Sequence, residues 1–217
     1  MELLNQLVDF IINIDKHLVE IVSEYKTWTY LILFIIIFAE TGFVVTPFLP
    51  GDSMLFAVGA LIAGGATGLN IWIMMLLLII AAIAGNSLNY KLGSIFGVSV
   101  FKEGNRILKL KYYHQSHEFF EKHGGKAIVF SRFLPIFRTI APFVAGVAKM
   151  PIGRFTYFNV IGGVSWISSL LLAGYLLGQI PIIKNNFDIV IITIAVVTFF
   201  PAIWAAVRSK FVKKTEE

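Results

Sequence analysis

The sequence of 217 residues contains no cysteine and little charge. Without cysteine it can form neither a disulfide framework nor a thiolate metal site. Charged residues make up 14% of the chain, compared with roughly 25% in an average soluble domain. Charge is missing altogether from residues 53–90, 155–183 and 189–207, and each stretch can contain an apolar segment of ~20 residues, the length that a membrane-spanning helix needs. These absences exclude an ordinary soluble domain and predict an all-α integral membrane protein.

The formal net charge of +5 comes from the segments between the apolar stretches. Such basic segments contact anionic lipid head groups, so we expect membrane lipids, and no nucleic acid, as partners. Basic residues accumulate on the cytoplasmic side of membrane proteins, and both residues 91–126 and the tail 208–217 contain several. The pattern predicts a multi-pass protein whose C-terminus is cytoplasmic.

Two apolar stretches carry charged side chains where a membrane span normally carries none. Glu40 and Asp52 lie inside residues 28–63, and Arg132 and Arg138 lie inside residues 127–149, a stretch that ends at Lys149. An ionisable side chain at membrane depth costs at least ~2.5–3.5 kcal/mol, so it is retained where it is paired, hydrated or functional. Acids in one stretch and bases in the other therefore indicate a polar site inside the bilayer.

Both charged stretches also contain helix-breaking residues. The breakers are Pro47, Pro50 and Gly51 in the first stretch, and Pro135 and Pro142 in the second. Proline removes a backbone donor and clashes with the preceding turn, and freed backbone groups cannot face lipid. Because each stretch is too short to cross the membrane twice, the sequence predicts two re-entrant hairpins whose tips meet near the midplane. A pair of kinked full-length helices is the alternative.

The remaining segments complete the predicted order of elements. Apolar residues three or four apart predict an interfacial amphipathic helix in residues 1–26. Basic residues combined with an apolar face predict a second interfacial helix in residues 98–125. Transmembrane helices are predicted at residues 71–90, 155–178 and 189–207, before the basic tail. The chain then forms a single membrane domain over residues 1–217.

The two halves of this domain resemble each other. Three pairs of residues recur in the same order, and they are Pro47 with Pro135, Gly59 with Gly146, and Gly93 with Gly178. The sequence therefore predicts an inverted repeat of amphipathic helix, re-entrant hairpin and transmembrane helix, plus a C-terminal transmembrane helix. Repeats with interrupted apolar segments are typical of transporters with a binding site at the midplane.

Three motifs resemble those of the DedA family of bacterial membrane proteins. They are FAETGFVVTPFLPGDS at residues 38–53, SRFLPIFRTIAPFVAG at residues 131–146, and GGVSW at residues 162–166. The resemblance extends over nearly the whole chain. It implies opposed re-entrant hairpins, a location in the bacterial cytoplasmic (inner) membrane, and movement of lipids or lipid carriers that depends on the proton gradient. The family's two acidic and two arginine positions match Glu40, Asp52, Arg132 and Arg138.

The four charged residues have two expected roles. Glu40 and Asp52 are expected to take up and release protons. Arg132 and Arg138 are expected to bind the phosphate of a lipid head group, because the guanidinium fork binds phosphate oxygens bidentately and stays charged. The alternative is a buried structural network in which the acids only neutralise the arginines.

Other residues suggest less specific roles. Asn86, Ser87 and Asn89 are expected to form hydrogen bonds between helices, and Trp166 is expected to pack in the interior or at the membrane interface. Three histidines lie near two acids in the second interfacial segment, but their spacing does not suit a zinc site. These residues are His114, His117, His123, Glu118 and Glu121. We therefore expect no metal and no cofactor.

The favoured function is a membrane flippase or transporter for a phosphate-bearing lipid, such as polyprenyl phosphate or phospholipid, coupled to protons. The sequence is also compatible with a homo-oligomer. One alternative is an integral membrane phosphatase for polyprenyl diphosphate, but all four histidines lie outside the two charged stretches and no nucleophile motif is present. The other alternative is a proton-coupled transporter of ions or small cations. The sequence thus favours a protein that is not an enzyme.

Overall fold

The structure is a computed structural model that describes residues 25–43, 51–65, 68–97, 118, 124–186, 189–190 and 193. Several predicted features lie outside these residues. They are the first interfacial helix, nearly all of the second with its three histidines, Pro47 and Pro50, most of the last transmembrane helix, and the tail.

Every regular element in the described ranges is a helix, which confirms the predicted all-α class. A 3-10 turn, Lys26–Trp28, comes first. The helices are α1 (Thr29–Gly42), α2 (Gly51–Ala63), α3 (Ile71–Phe96), α4 (Lys126–Ser131), α5 (Pro135–Val147), α6 (Ile152–Leu177) and α7 (Pro181–Asn185).

Two of these helices, α3 and α6, are long and apolar enough to cross a membrane. Each has 26 residues, about 39 Å at 1.5 Å per residue, against a hydrocarbon core of ~30 Å. The start of α3 is fixed by Asn70, whose side chain accepts hydrogen bonds from the backbone N–H groups of Trp72 and Ile73 at 2.9 and 3.3 Å. Such capping satisfies donors that the first turn leaves open.

The second charged stretch is interrupted where Pro135 predicts a break. Between α4 and α5, Leu134 has an extended backbone with φ −119° and ψ 108°, as expected for a residue that precedes proline. Pro135 occupies the first turn of α5, where its missing N–H has no cost. The second predicted break is wrong, because Pro142 lies inside α5, and the helix continues to Val147.

The helices exchange partners between the two halves of the chain. α1 packs against α3, and α4 packs against α6, so each contacts the long helix of its own half. α2 instead packs most extensively against α6, and α5 against α3, so each contacts the long helix of the other half. The two charged stretches are therefore held together through both long helices.

Glycines let the backbones of α2 and α6 come into contact. A Cβ atom on Gly59 would lie 2.1 Å from the carbonyl oxygen of Leu171, and one on Gly174 would lie 2.0 Å from that of Phe56. No side chain fits at either distance. Small residues at membrane helix contacts commonly allow this close packing.

A second glycine contact of the same kind joins α5 to α3. A Cβ atom on Gly146 would lie 2.0 Å from the carbonyl oxygen of Tyr90, and one on Gly93 would lie 2.1 Å from that of Phe143. Nearby, the hydroxyl of Tyr90 donates to the carbonyl oxygen of Met150. Gly59 and Gly146 thus occupy matching places in two similar helix pairs.

These contacts change the alignment of the two halves. The sequence alignment pairs Gly93 with Gly178. In the structure Gly93 contacts the backbone of α5, and the glycine of α6 that contacts the backbone of α2 in the same way is Gly174. Gly93 and Gly174 each lie three residues before the end of their long helix. The alignment based on residue identity is displaced by about one helical turn.

We expect Gly59→Ala to destabilise the protein, because its new methyl group would overlap the backbone of Leu171. Overpacking of this kind typically costs ~1–3 kcal/mol, which thermal unfolding in detergent would show as a lower Tm. Gly153→Ala is the matched control, because no atom lies within 4 Å of a Cβ at Gly153 and alanine favours a helix over glycine. Equal losses of Tm in the two variants would contradict the close contact.

Candidate functional site

The four charged residues predicted from the sequence lie in one buried region. Their exposed fractions are 2% for Glu40, 8% for Asp52, 0% for Arg132 and 3% for Arg138. Glu40 lies on α1, Asp52 on α2 and Arg138 on α5, while Arg132 follows the last residue of α4. Two acids and two bases from separate parts of the sequence are thus buried together.

Arg138 lies at the centre of this arrangement. Its Nη1 donates to Glu40 Oε1 at 3.0 Å, and its Nη2 donates to Asp52 Oδ1 at 2.6 Å. Its Nε donates to the backbone carbonyl of Arg132 at 2.9 Å. All three nitrogens of one guanidinium are engaged, and charge-assisted bonds of this type are roughly twice as strong as neutral ones. Both acids of the first stretch are therefore tied to a single arginine of the second.

Gly51 provides the space in which the carboxylate of Glu40 lies. A Cβ atom on Gly51 would lie 2.2 Å from Glu40 Oε2, so any other residue would displace the carboxylate. Gly51 also begins α2, and the N-terminus of a helix favours a nearby negative charge. The residue predicted as a hairpin breaker thus has a second role in the site.

Trp166, on α6, contacts the charged residues of the site. Its Nε1 donates to Asp52 Oδ1 at 2.8 Å. The guanidinium of Arg138 lies 4.4 Å from its ring centre, and that of Arg132 lies 5.8 Å away. A desolvated cation–π contact contributes up to about 2 kcal/mol or more. Trp166 therefore binds an acid and contacts both arginines, a polar role that the expectation of simple packing did not include.

Arg132 has a different environment, composed of neutral groups. Its Nη2 donates to Asn159 Oδ1 at 2.6 Å and to the carbonyl oxygen of Ala82 at 3.2 Å. Asn86, with its amide oxygen turned toward the guanidinium, accepts from Nε at 3.3 Å and from Nη2 at 2.9 Å. Among the described residues, no carboxylate forms an ion pair with Arg132, and its Nη1 has no hydrogen-bond partner.

Asparagines connect the helices around the charges. Asn89 donates to the carbonyl oxygens of Thr41 at 3.2 Å and Thr139 at 2.7 Å, and so links both charged stretches to α3. Asn159 donates to Ser87 Oγ at 3.3 Å. These contacts, with those of Asn86, confirm the expected hydrogen bonding between helices.

The sequence indicated some members of the site but did not identify Asn159. The signal that could have identified Asn159 is that it is the single amide side chain among residues 155–178. Within the described residues, no group of three or more His, Asp or Glu side chains could hold a metal ion. The histidines considered as metal ligands lie outside those residues.

Comparison with known proteins gives a consistent set of relatives. The VTT domain matches residues 49–176, a range that includes Asp52 and both arginines. "Protein DedA" of Escherichia coli K12 is 47% identical over 211 residues, which cover 97% of this chain and 96% of that protein. "Uncharacterized membrane protein Rv0364" of Mycobacterium tuberculosis is 40% identical over 177 residues, 81% and 78% of the two chains. "Inner membrane protein YqjA" of E. coli K12 is 38% identical over 160 residues, 73% and 72% of the two chains. No solved structure matches significantly.

Proposed function

The chain belongs to the DedA family of membrane proteins, which carries the VTT domain, and on this basis we propose that it moves a phosphate-bearing lipid across the membrane. The lipid is a polyprenyl phosphate or a phospholipid, and its movement is coupled to protons. The membrane is the bacterial cytoplasmic (inner) membrane, as the name of one relative states for that protein. The C-terminus is cytoplasmic.

The observation that carries this proposal is the way Glu40 and Asp52 hold Arg138. Each of the two terminal nitrogens of Arg138 binds one carboxylate oxygen, at 3.0 and 2.6 Å. A phosphate binds a guanidinium through the same two-nitrogen fork. The carboxylates therefore occupy the place that a phosphate would take.

Exchange between carboxylates and phosphate supplies a physical basis for coupling. Protonation of Glu40 or Asp52 removes its negative charge and weakens its hold on Arg138, which makes the fork available to an anion. By linkage, phosphate binding must then favour proton uptake to the same extent. A site with these properties carries a proton and a phosphate group through one cycle.

The arrangement of the helices supports opposed re-entrant hairpins as the scaffold of this site. α1, α2 and α5 have 14, 13 and 13 residues, so each is about 20 Å long and shorter than the ~30 Å hydrocarbon core. The exchanged packing onto α3 and α6 suits an inverted repeat. Transporters built in this way bind their substrates between interrupted helices near the midplane.

Purified protein in liposomes tests the proposed function. We expect fluorescent polyprenyl phosphate or phospholipid to cross the bilayer faster than fluorescent polyprenol, which lacks the phosphate, and its rate to depend on an imposed pH gradient. Gly153→Ala, at an exposed position where a Cβ meets no atom within 4 Å, is expected to retain the wild-type rate. Release of inorganic phosphate in proportion to protein would indicate a phosphatase instead. Equal rates for the phosphorylated lipids and polyprenol would overturn the proposal.

A further inference from the structure

We propose that Arg132 is the group that first receives the phosphate, and that Asn86 and Asn159 keep it available by holding it without neutralising its charge. This inference rests on the proposed function and assigns the two arginines different roles. Arg132 is the anion receptor, while Arg138 is a latch that is released when its acids are protonated.

The unequal distribution of partners is the first observation. The described site contains two acids and two arginines, yet both acids are bound to Arg138. Arg132 is completely buried, and its Nη1 has no hydrogen-bond partner. A buried donor without a partner is unfavourable, more so when it is charged. An incoming anion would provide both the missing acceptor and the missing counter-charge.

The chemistry of the neighbouring amides is the second observation. Asn159 Oδ1 lies 2.6 Å from Arg132 Nη2, and the Asn86 oxygen lies 2.9 Å from the same nitrogen in its favourable orientation. Aspartate has nearly the same shape as asparagine, and at either position it would form an internal ion pair. The amides orient the guanidinium yet leave its positive charge for a ligand.

The contact between the two arginines is the third observation. Arg138 Nε donates to the backbone carbonyl of Arg132 at 2.9 Å, and both guanidinium groups face the ring of Trp166. A phosphate held by Arg132 therefore lies close to the nitrogens that Glu40 and Asp52 occupy. Once these acids are protonated, Arg138 can join Arg132 on the same phosphate.

Asn86→Asp tests the inference by giving Arg132 a carboxylate of its own. We expect binding of radiolabelled farnesyl phosphate to protein in nanodiscs to fall about tenfold or more. The new carboxylate would compete with the phosphate for Arg132, and close charge pairs have coupling energies of at least this size. The Tm should be equal to or higher than that of wild type, because the new acid neutralises a buried cation. Ser94→Asp is the matched control, because it adds the same charge at an exposed place two turns along α3 and should leave binding unchanged.

Asn159→Asp provides a second and independent carboxylate, from α6. It should also weaken binding, although it loses the hydrogen bonds that Asn159 donates to Ile83 and Ser87. Wild-type binding by a folded Asn86→Asp protein would show that Arg132 is only a structural cation. Unfolding of both variants would also overturn the inference, because a counter-ion beside Arg132 should stabilise the fold.

Additional ligands separate this inference from the proposed function. Farnesol, which has no phosphate, should bind weakly to wild type and to every variant. Competition by inorganic phosphate shows whether a free anion occupies the same place as the lipid phosphate. If folded wild-type protein binds farnesyl phosphate no better than farnesol, the proposed function itself fails. If wild type binds it selectively and Asn86→Asp does so equally well, only the role of Arg132 fails.

Discussion

Arg138→Leu is expected to lower the free energy of unfolding by about 3–5 kcal/mol, because removing one partner of a buried ion pair leaves an uncompensated charge. Here two carboxylates would be left, since Glu40 and Asp52 both pair with Arg138. The Tm in detergent and the yield of folded protein would both show the loss. Arg154→Leu is the control, because Arg154 is exposed and such substitutions usually change stability by less than about 0.5 kcal/mol.

A variant that also removes the two acidic charges tests whether the loss of stability comes from unpaired charge. The triple variant Arg138→Leu, Glu40→Gln, Asp52→Asn has no unpaired acid in the site, so we expect it to recover much of the lost stability. It should remain inactive in transport, because the guanidinium is absent. An Arg138→Leu protein as stable as wild type would contradict the central position of Arg138.

The single variants Glu40→Gln and Asp52→Asn are expected to stay folded but to lose the response of lipid transport to a pH gradient. Each amide keeps an oxygen that can accept from Arg138, and in each variant the other carboxylate still balances its charge. An amide cannot take up the proton that releases Arg138, so the rate should be the same with and without an imposed gradient. Transport and Tm should be measured on the same preparations.

Two other outcomes are informative for these single variants. A large loss of stability in both would indicate that the acids serve a structural network. Stable variants that respond fully to the gradient would exclude Glu40 and Asp52 as coupling groups. Gly153→Ala protein, prepared in parallel, controls for differences in reconstitution.

The sequence predicted the charged members of the site because ionisable residues are rare and costly at membrane depth. Glu40, Asp52, Arg132 and Arg138 therefore stood out against apolar surroundings. Their pairing did not follow from the sequence, since either acid could have joined either arginine. It depends on how α2 and α5 pack onto the long helices, where glycines allow the backbones to come into contact.

The neutral members of the site were harder to predict. Trp166 and Asn159 carry no charge, and such residues also occur in ordinary packing and in hydrogen bonds between helices, so only their neighbours reveal their roles. Pro142 was misinterpreted because proline weakens a helix without necessarily ending it, where surrounding protein can satisfy the freed carbonyl. The pairing of Gly93 with Gly178 failed because identical residues recur one turn apart in a glycine-rich helix.

The most direct test is whether the lipid and the proton cross in one event. Polyprenyl phosphate would be added to the outer leaflet of proteoliposomes that contain a pH-sensitive dye, with no pH gradient imposed and the membrane potential held at zero. We expect the internal pH to change as the lipid crosses, and Glu40→Gln and Asp52→Asn to abolish this change. Lipid that crosses in wild-type vesicles with no change of internal pH would contradict the coupling of lipid to protons.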